Sequence, residues 1–119
     1  MLQNLTEDLQ RCITLCRECH DVCLHTVPHC LGKGGRHAAA DHIVLLLDCA
    51  EICATSADFM VRGSKLHAAT CGACAEVCDR CAEDCERLGD DEVMRRCAQT
   101  CHRCAESCHR MAGAHAGVR

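Results

Sequence analysis

The apolar positions of this chain recur every three or four residues, and cysteine occupies most of them. Of the fifteen gaps between successive cysteines, eleven are three or four residues long and one is seven. Such spacings place side chains on one face of an α-helix, whereas a strand would need a period of two. The cysteines therefore predict helical stripes. The three long gaps are 30 to 49, 53 to 71 and 85 to 97.

Glycine-containing stretches predict where these helices end. Three breaks interrupt the pattern: GKGG at 32–35, RGS at 62–64 and LGDD at 88–91. Pro28 is expected to disturb the last turn of the first helix, Gly89 to follow the third helix, and Asp90 to cap the fourth. The predicted helices span about 4–30, 36–61, 65–88 and 90–112, and residues 113–119 form a frayed tail.

Short connections between long helices predict an all-α fold, an antiparallel up-down-up-down four-helix bundle. We expect one domain spanning residues 1–119. Alanine and polar residues flank each stripe, as in CAEVCDRCAEDC at 74–85. The stripes therefore face inward and give the bundle a cysteine-lined core. Alanine also favours helix formation, so we expect the bundle to fold before it binds any metal.

Composition then narrows the functional classes. Sixteen of the 119 residues are cysteine, and Phe59 is the single aromatic residue, which is far from ordinary usage. The net charge of −4 comes from mixed acids and bases, a pattern that favours neither nucleic acid nor an anionic membrane as partner. The longest apolar run, IVLLL at 43–47, is too short to span a bilayer.

The N-terminal stretch MLQNLTEDLQ lacks the basic and apolar regions of a secretory signal. We therefore expect a cytoplasmic protein, in which thiols stay reduced. No serine–histidine–aspartate set, glycine-rich phosphate loop or pair of catalytic carboxylates is recognisable. The sequence predicts a binding protein and not an enzyme.

Several kinds of thiol chemistry are candidate explanations for the rows of buried cysteines. A single buried cysteine is often only a small hydrophobe, but sixteen in register need another reason. Disulfides within one helix are poorly oriented, and a redox catalyst needs an exposed thiol of low pKa. Zinc takes four ligands in closed tetrahedra, and iron–sulfur clusters are held by loops. Cu(I) accepts two or three thiolates, and a thiolate can bridge two ions.

We therefore predict Cu(I) binding along the core, at roughly 16 to 20 ions per chain. The predicted ligands are Cys12, Cys16, Cys19, Cys23, Cys30, Cys49, Cys53, Cys71, Cys74, Cys78, Cys81, Cys85, Cys97, Cys101, Cys104, Cys108, His42 and Met94. The alternatives are a zinc or general metal buffer, a thiol-based redox protein and an iron–sulfur electron carrier.

The pattern resembles the cytosolic copper storage proteins, over about residues 5–112. The resemblance is carried by CxxxCxxCxxxC in the first helix, LDCAEIC at 47–53, CGACAEVCDRCAEDC at 71–85 and CAQTCHRCAESCHRM at 97–111. It implies a four-helix bundle whose inward cysteines store Cu(I) for supply or detoxification, and a homotetramer of such bundles. A copper chaperone or a small thiol is the expected donor.

Three positions depart from a thiol-richer family pattern. Thr26, His42 and Met94 lie where some relatives carry cysteine; Thr26 is expected to have lost a ligand, whereas the other two keep soft or borderline donors. An antiparallel arrangement brings positions 26, 30, 42, 85 and 94 to one end of the bundle, which we predict to be the copper entrance. The other end, expected to be closed, is lined by Leu5, Met60, His67 and Met111.

The remaining histidines and one apolar repeat on the second helix allow only general predictions. His20, His102 and His109 lie one step off their stripes and are expected on flanks. A second histidine set, close to the connection between the first two helices, comprises His25, His29 and His37; His115 falls in the tail. Leu45, Ile52 and Phe59 repeat every seven residues and predict either helix packing or an oligomer seam.

Overall fold

Four long α-helices account for most of the chain. The computed structural model describes residues 5–89 and 91–116, with side chains described up to residue 113. The helices are α1 (Glu7–Lys33), α2 (Ala40–Val61), α3 (His67–Leu88) and α4 (Glu92–Ala116), with a short 3-10 helix at Gly35–Ala38 between α1 and α2. No strand occurs in the described ranges. The predicted all-α class is confirmed.

Local hydrogen bonds explain where α1 begins and ends. The Thr6 side chain accepts a hydrogen bond from the Leu9 backbone N–H at 3.1 Å, which caps the start of the helix. Pro28 lies inside α1, and the helix continues to Lys33, three residues beyond the predicted end. Proline removes one donor only, and the last turn closes with a bond from the Gly34 N–H to the Cys30 carbonyl. Gly34 has a φ of 72°, the left-handed conformation that glycine adopts freely.

The connection between α3 and α4 differs from the prediction in its cap. The Asp91 carboxylate accepts a hydrogen bond from the Met94 backbone N–H at 3.0 Å, so Asp91 caps α4. The predicted cap, Asp90, lies outside the described residues. The same backbone N–H, together with Lys33, holds the pKa of Asp91 well below its usual range. Gly89 is extended, with a φ of −175°, so it does not adopt the left-handed conformation that often ends a helix.

The predicted tail also begins later than expected. Helix α4 runs through Ala116 and so includes four of the residues assigned to the tail, while residues 117–119 lie outside the described ranges. Helix α2 also begins later than the predicted residue 36. It begins at Ala40, because Ala39 is extended with a ψ of 141°.

Contacts between sulfur atoms define the direction of each helix. The start of α1 meets the end of α4 where Cys12 Sγ lies 3.6 Å from Cys108 Sγ. The end of α3 meets the start of α4 where Cys85 Sγ lies 3.7 Å from that of Cys97. Helix α2 runs antiparallel to both of its neighbours, α1 and α3. The up-down-up-down bundle is confirmed, and α1 and α3 lie diagonally across its interior.

The interior contains few large side chains. Leu46, Met60 and Met94 are the largest fully buried residues, and the cysteines fill most of the remaining space. Buried alanines such as Ala75 and Ala105 line the seams beside the stripes, and their small size lets the helices approach closely. Among the described helices, none combines the length and apolar character that crossing a bilayer requires.

Candidate metal centre

All sixteen cysteines are free and buried. Fifteen have no exposed surface, and Cys81 is 1% exposed. Each lies on the inward face of its helix, because the spacing of three and four residues keeps the thiols in one stripe. The four stripes meet along the bundle axis. Cysteine is therefore the commonest residue of the buried interior.

The sulfur atoms fall into five groups, in each of which all Sγ atoms lie within 4.8 Å of one another. From the end of α4 to its start, the groups are Cys12–Cys71–Cys108, Cys16–Cys74–Cys104–Cys108, Cys19–Cys53–Cys78–Cys104, Cys19–Cys23–Cys49–Cys101 and Cys23–Cys81–Cys97–Cys101. All five groups draw cysteines from three or four helices, so the fold assembles them.

Shared cysteines join the five groups into one row. Each of Cys108, Cys104 and Cys19 belongs to two neighbouring groups, and both Cys23 and Cys101 belong to the last two. A thiolate in a shared position can bridge metal ions bound in adjacent groups. The geometry therefore offers a continuous row of soft ligands and not a set of isolated sites.

Hydrogen bonds between thiols shift their pKa values in opposite directions. A thiolate that accepts hydrogen bonds from neighbouring thiols is stabilised, and the donors then hold their protons more tightly. Bonds from Cys101 lower the pKa of Cys49. Contacts with Cys19, Cys23 and Cys49 raise the pKa of Cys101 well above its usual value. A soft cation entering this network would displace the retained protons.

Two cysteines lie outside the five groups, near the connections that follow α1 and α3. Cys85 Sγ continues the row through its 3.7 Å contact with Cys97. Cys30 Sγ lies 3.3 Å from His42 Nε2 and 3.6 Å from Met94 Sδ. We call Cys30, His42 and Met94 the mouth cluster. Burial raises the pKa of the Cys30 thiol to about 11.

A carboxylate orients the imidazole of the mouth cluster. His42 is 3% exposed, and its Nδ1 lies 2.6 Å from Asp84 Oδ2. Because a carboxylate only accepts hydrogen bonds, Nδ1 donates the proton of this contact, and Nε2 faces Cys30 Sγ. Arg87 pairs with the other oxygen of Asp84. Sequence reasoning missed Asp84, since the polar flank of α3 contains many similar acids.

Two inward positions of α2 were also missed. Leu46 and Ser56 are fully buried. They complete the series 42, 46, 49, 53, 56 and 60, and its helical spacing of three and four residues is enough to predict that both face inward. Thr26 lies inward as predicted, but its hydroxyl donates to the Val22 carbonyl at 2.7 Å. The Thr26 hydroxyl is thus used within its own helix.

The opposite end of the bundle carries a second thiol–thioether contact. Cys71 Sγ donates to Met60 Sδ at 3.6 Å and lies 3.4 Å from Ser56 Oγ. Leu5 and Met111 pack against the core there and are only partly buried, and His67 Nδ1 lies 2.9 Å from the Ser64 carbonyl oxygen. Apolar side chains thus pack beside soft donors at this end, and its closure stays a prediction.

The flanking histidines pair with groups outside the interior. His102 Nε2 lies 2.9 Å from Glu86, and His109 Nε2 lies 2.9 Å from Asp79. Half-buried His20 contacts the Ala50 carbonyl oxygen through Nδ1 at 2.7 Å. These positions agree with the predicted flanks. The side chain of His115 lies outside the described residues.

The second histidine set is divided by the fold. His25 is exposed, and His29 Nε2 lies 3.3 Å from Asp91. His37, on the 3-10 helix, is half-buried. Burial of its ring, with the Lys33 ammonium nearby, lowers the pKa of His37. His29 is among the groups that act on His37, so these two lie near one another, whereas His25 is exposed.

Comparison with known families gives a match over nearly the whole chain. The family model described as "Copper storage protein" matches residues 5–113. A curated relative, the uncharacterized cysteine-rich protein YhjQ of Bacillus subtilis, is 33% identical over 68 residues, 57% of this chain. The match spans 63% of that relative, less than two thirds of its length.

Solved structures share the architecture. A protein from Nitrosospira multiformis is 48% identical, with a TM-score of 0.85, over 91% of this chain and 97% of its own. A Cu(I)-bound copper storage protein, BsCsp3, is 32% identical with a TM-score of 0.82, over 89% and 99%. A cytosolic copper storage protein from Streptomyces lividans, loaded with five coppers, is 29% identical with a TM-score of 0.82, over 90% and 93%.

Proposed function

This chain belongs to the copper storage protein family, and we propose that it stores many Cu(I) ions along its core. The observation that carries the proposal is the row of five groups joined by shared cysteines. Cu(I) is a soft cation that thiolates select. It accepts two or three thiolates and tolerates bridging, so a row of shared sulfurs suits it.

The proposed ligands are the sixteen cysteines together with His42 and Met94. With each thiolate serving more than one ion, the capacity is roughly 16 to 20 Cu(I) per chain. Cu(I)-bound and five-copper structures of similar proteins support this use of the interior. The four helices would act as a single folded domain, and bound copper would be held for supply or detoxification without catalytic turnover.

The cellular setting is also part of the proposal. A similar structure from Streptomyces lividans is described as cytosolic, which supports a cytoplasmic location. A copper chaperone or a small thiol would deliver the ion. The exposed apolar residues Leu24, Leu31, Val44 and Leu47 lie on α1 and α2, and they support assembly into a homo-oligomer, which we propose to be a tetramer.

We propose that copper enters at the mouth cluster. His42 Nε2 and Met94 Sδ both lie within 3.6 Å of Cys30 Sγ, so three soft or borderline donors converge there. Exchange of His42 and Met94 for leucine should slow loading while leaving the total capacity nearly intact. Loading kinetics that match the unmodified protein would refute this entrance.

The storage function is tested by an anaerobic Cu(I) titration of the reduced protein against a strong chromogenic Cu(I) chelator. Storage predicts that the protein withholds more than about ten equivalents, with thiolate-to-copper absorption rising in parallel. Retention of only a few equivalents would contradict it.

Zinc is the second candidate, and one observation favours it. A tetrahedral zinc–thiolate site with bonds of about 2.3 Å has sulfur–sulfur edges of about 3.8 Å. The contacts of Cys53 Sγ with the Sγ atoms of Cys74, Cys78 and Cys104 measure 3.6, 3.6 and 3.8 Å. Competition separates the two metals, because a zinc buffer would retain zinc when Cu(I) is added.

A thiol redox function fits the geometry less well. Exchange with an external disulfide or peroxide needs an exposed thiolate, whereas every thiol here is buried. Rapid, reversible disulfide formation without metal would be needed to support it.

A further inference from the structure

His37 carries a polar atom that the fold leaves without a partner. Its Nε2 is buried and makes no hydrogen bond. In the described part of the chain, Gln10 Oε1 is the other buried side-chain nitrogen or oxygen in this state. Buried polar atoms nearly always have a partner, so an exception calls for an explanation such as an absent ion.

The ring of His37 occupies a notch left by Gly89. A Cβ placed on Gly89 would lie 3.1 Å from His37 Nε2 and 3.5 Å from Met94 Cγ. The imidazole nitrogen and the Met94 side chain therefore border the same small space. The backbone of Gly89 is extended and would accept any residue, but a Cβ here would require the His37 ring to move by a few tenths of an ångström.

Neighbouring polar groups do not provide a hydrogen-bond partner for His37 Nε2. Asp91 is the acidic group that influences His37. Its carboxylate already accepts from Lys33 at 3.1 Å and contacts His29 at 3.3 Å. His42, also nearby, is held by Asp84. The unpaired nitrogen thus lies beside Gly89, in the notch that the Met94 side chain also borders.

We propose that His37 Nε2 is a further Cu(I) ligand, which binds an incoming ion together with Met94 Sδ at the outer edge of the mouth cluster. This inference rests on the proposed entrance. Imidazole and thioether donors hold Cu(I) less tightly than thiolates do, so the ion passes inward to Cys30. Copper remains Cu(I) throughout, the Cu–N bond is replaced by a Cu–S bond, and the Cys30 thiol loses its proton to solvent.

Stopped-flow uptake from a coloured, weak Cu(I)–chelator complex tests the proposal. We expect His37→Gln to slow the uptake at least about tenfold, the usual lower bound for losing a group that supports a metal site. Gly89→Ala should slow it similarly, because its Cβ displaces the ring. The matched controls are His25→Gln, on an exposed histidine, and Gly32→Ala, where a Cβ meets nothing within 4 Å; both should load at the normal rate.

A spectroscopic readout makes the result independent of rate. In the fully loaded protein the inner sites are occupied, so the last ion stays on His37 and Met94; the Nε2 resonance of His37 in ¹⁵N NMR spectra should then shift from its metal-free position, and that of His25 should not. A normal uptake rate for His37→Gln, or an unshifted Nε2 resonance, would overturn the role of His37. If Gly89→Ala slows uptake but His37→Gln does not, the slowing is due to Met94, and the role of His37 is likewise overturned.

The outcomes also separate this inference from the function on which it rests. If His37→Gln is normal but the His42 and Met94 exchanges slow uptake, the entrance stands and His37 is not part of it. If none of these variants slows uptake but the capacity is high, both the entrance and the role of His37 fall while storage stands. A low capacity in the unmodified protein would refute storage itself.

Discussion

The shared cysteines should contribute more to copper capacity than those at the ends of the row. Cys101 lies 3.7 Å from Cys19, 3.8 Å from Cys23 and 3.9 Å from Cys49, measured between Sγ atoms, and it belongs to two groups. Cys12 contacts Cys108 at 3.6 Å and belongs to one group. We therefore compare Cys101→Ala with Cys12→Ala.

The expected loss follows from the number of groups that each thiolate serves. Without Cys101, ions in two groups lose a bridging ligand, so about two Cu(I) should be lost. Without Cys12, ions in one group lose a ligand, so about one Cu(I) should be lost. Both thiols have no exposed surface, and each truncation should cost a similar stability, about 1 kcal/mol.

Capacity is measured by anaerobic Cu(I) titration, followed by gel filtration and metal analysis of the protein peak. Circular dichroism of both metal-free variants serves as the control that neither has unfolded. Equal losses, or a larger loss for Cys12→Ala, would refute the bridging role that we assign to shared positions.

Three further predictions follow from the same structure. Because burial raises the pKa of Cys30 to about 11, the folded state keeps a proton that the unfolded state loses near pH 9; the contribution of Cys30 to stability is therefore intact below pH 9 and is lost between pH 9 and 11. The unfolding midpoint of the metal-free protein should therefore fall more over this range than that of Cys30→Ala, and equal falls would contradict the shift. Asp84→Asn removes the acceptor that orients His42 and should slow copper loading about tenfold at unchanged capacity, whereas equal loading rates would argue against orientation by Asp84. The reduced, metal-free protein should be strongly helical by circular dichroism, and a coil spectrum would contradict this. In thermal unfolding, Leu46→Ala should destabilise it by about 2–5 kcal/mol, whereas Leu66→Ala, at an exposed position, should cost less than about 0.5 kcal/mol. Equal effects of the two variants would contradict the burial of Leu46.

The secondary structure and the inward face could be read from the chain alone. A period of three and four residues is specific to the α-helix, so the stripes and the order of the bundle followed directly. The errors lie at helix ends, where single hydrogen bonds decide. Asp91 rather than Asp90 caps α4, and α1 continues past Pro28 to Lys33 because the bonds of its last turn survive.

The grouping of the thiols was decided only by tertiary structure. Spacing within one helix does not specify the vertical offset between helices, and that offset determines that Cys101 lies between Cys19, Cys23 and Cys49. The same holds for Asp84 beside His42 and for His37 in the notch at Gly89. The sequence thus determined which side chains face the interior, because that depends on the helical period. Which donors meet around one ion depends on how the four helices pack, and only the folded chain decided it.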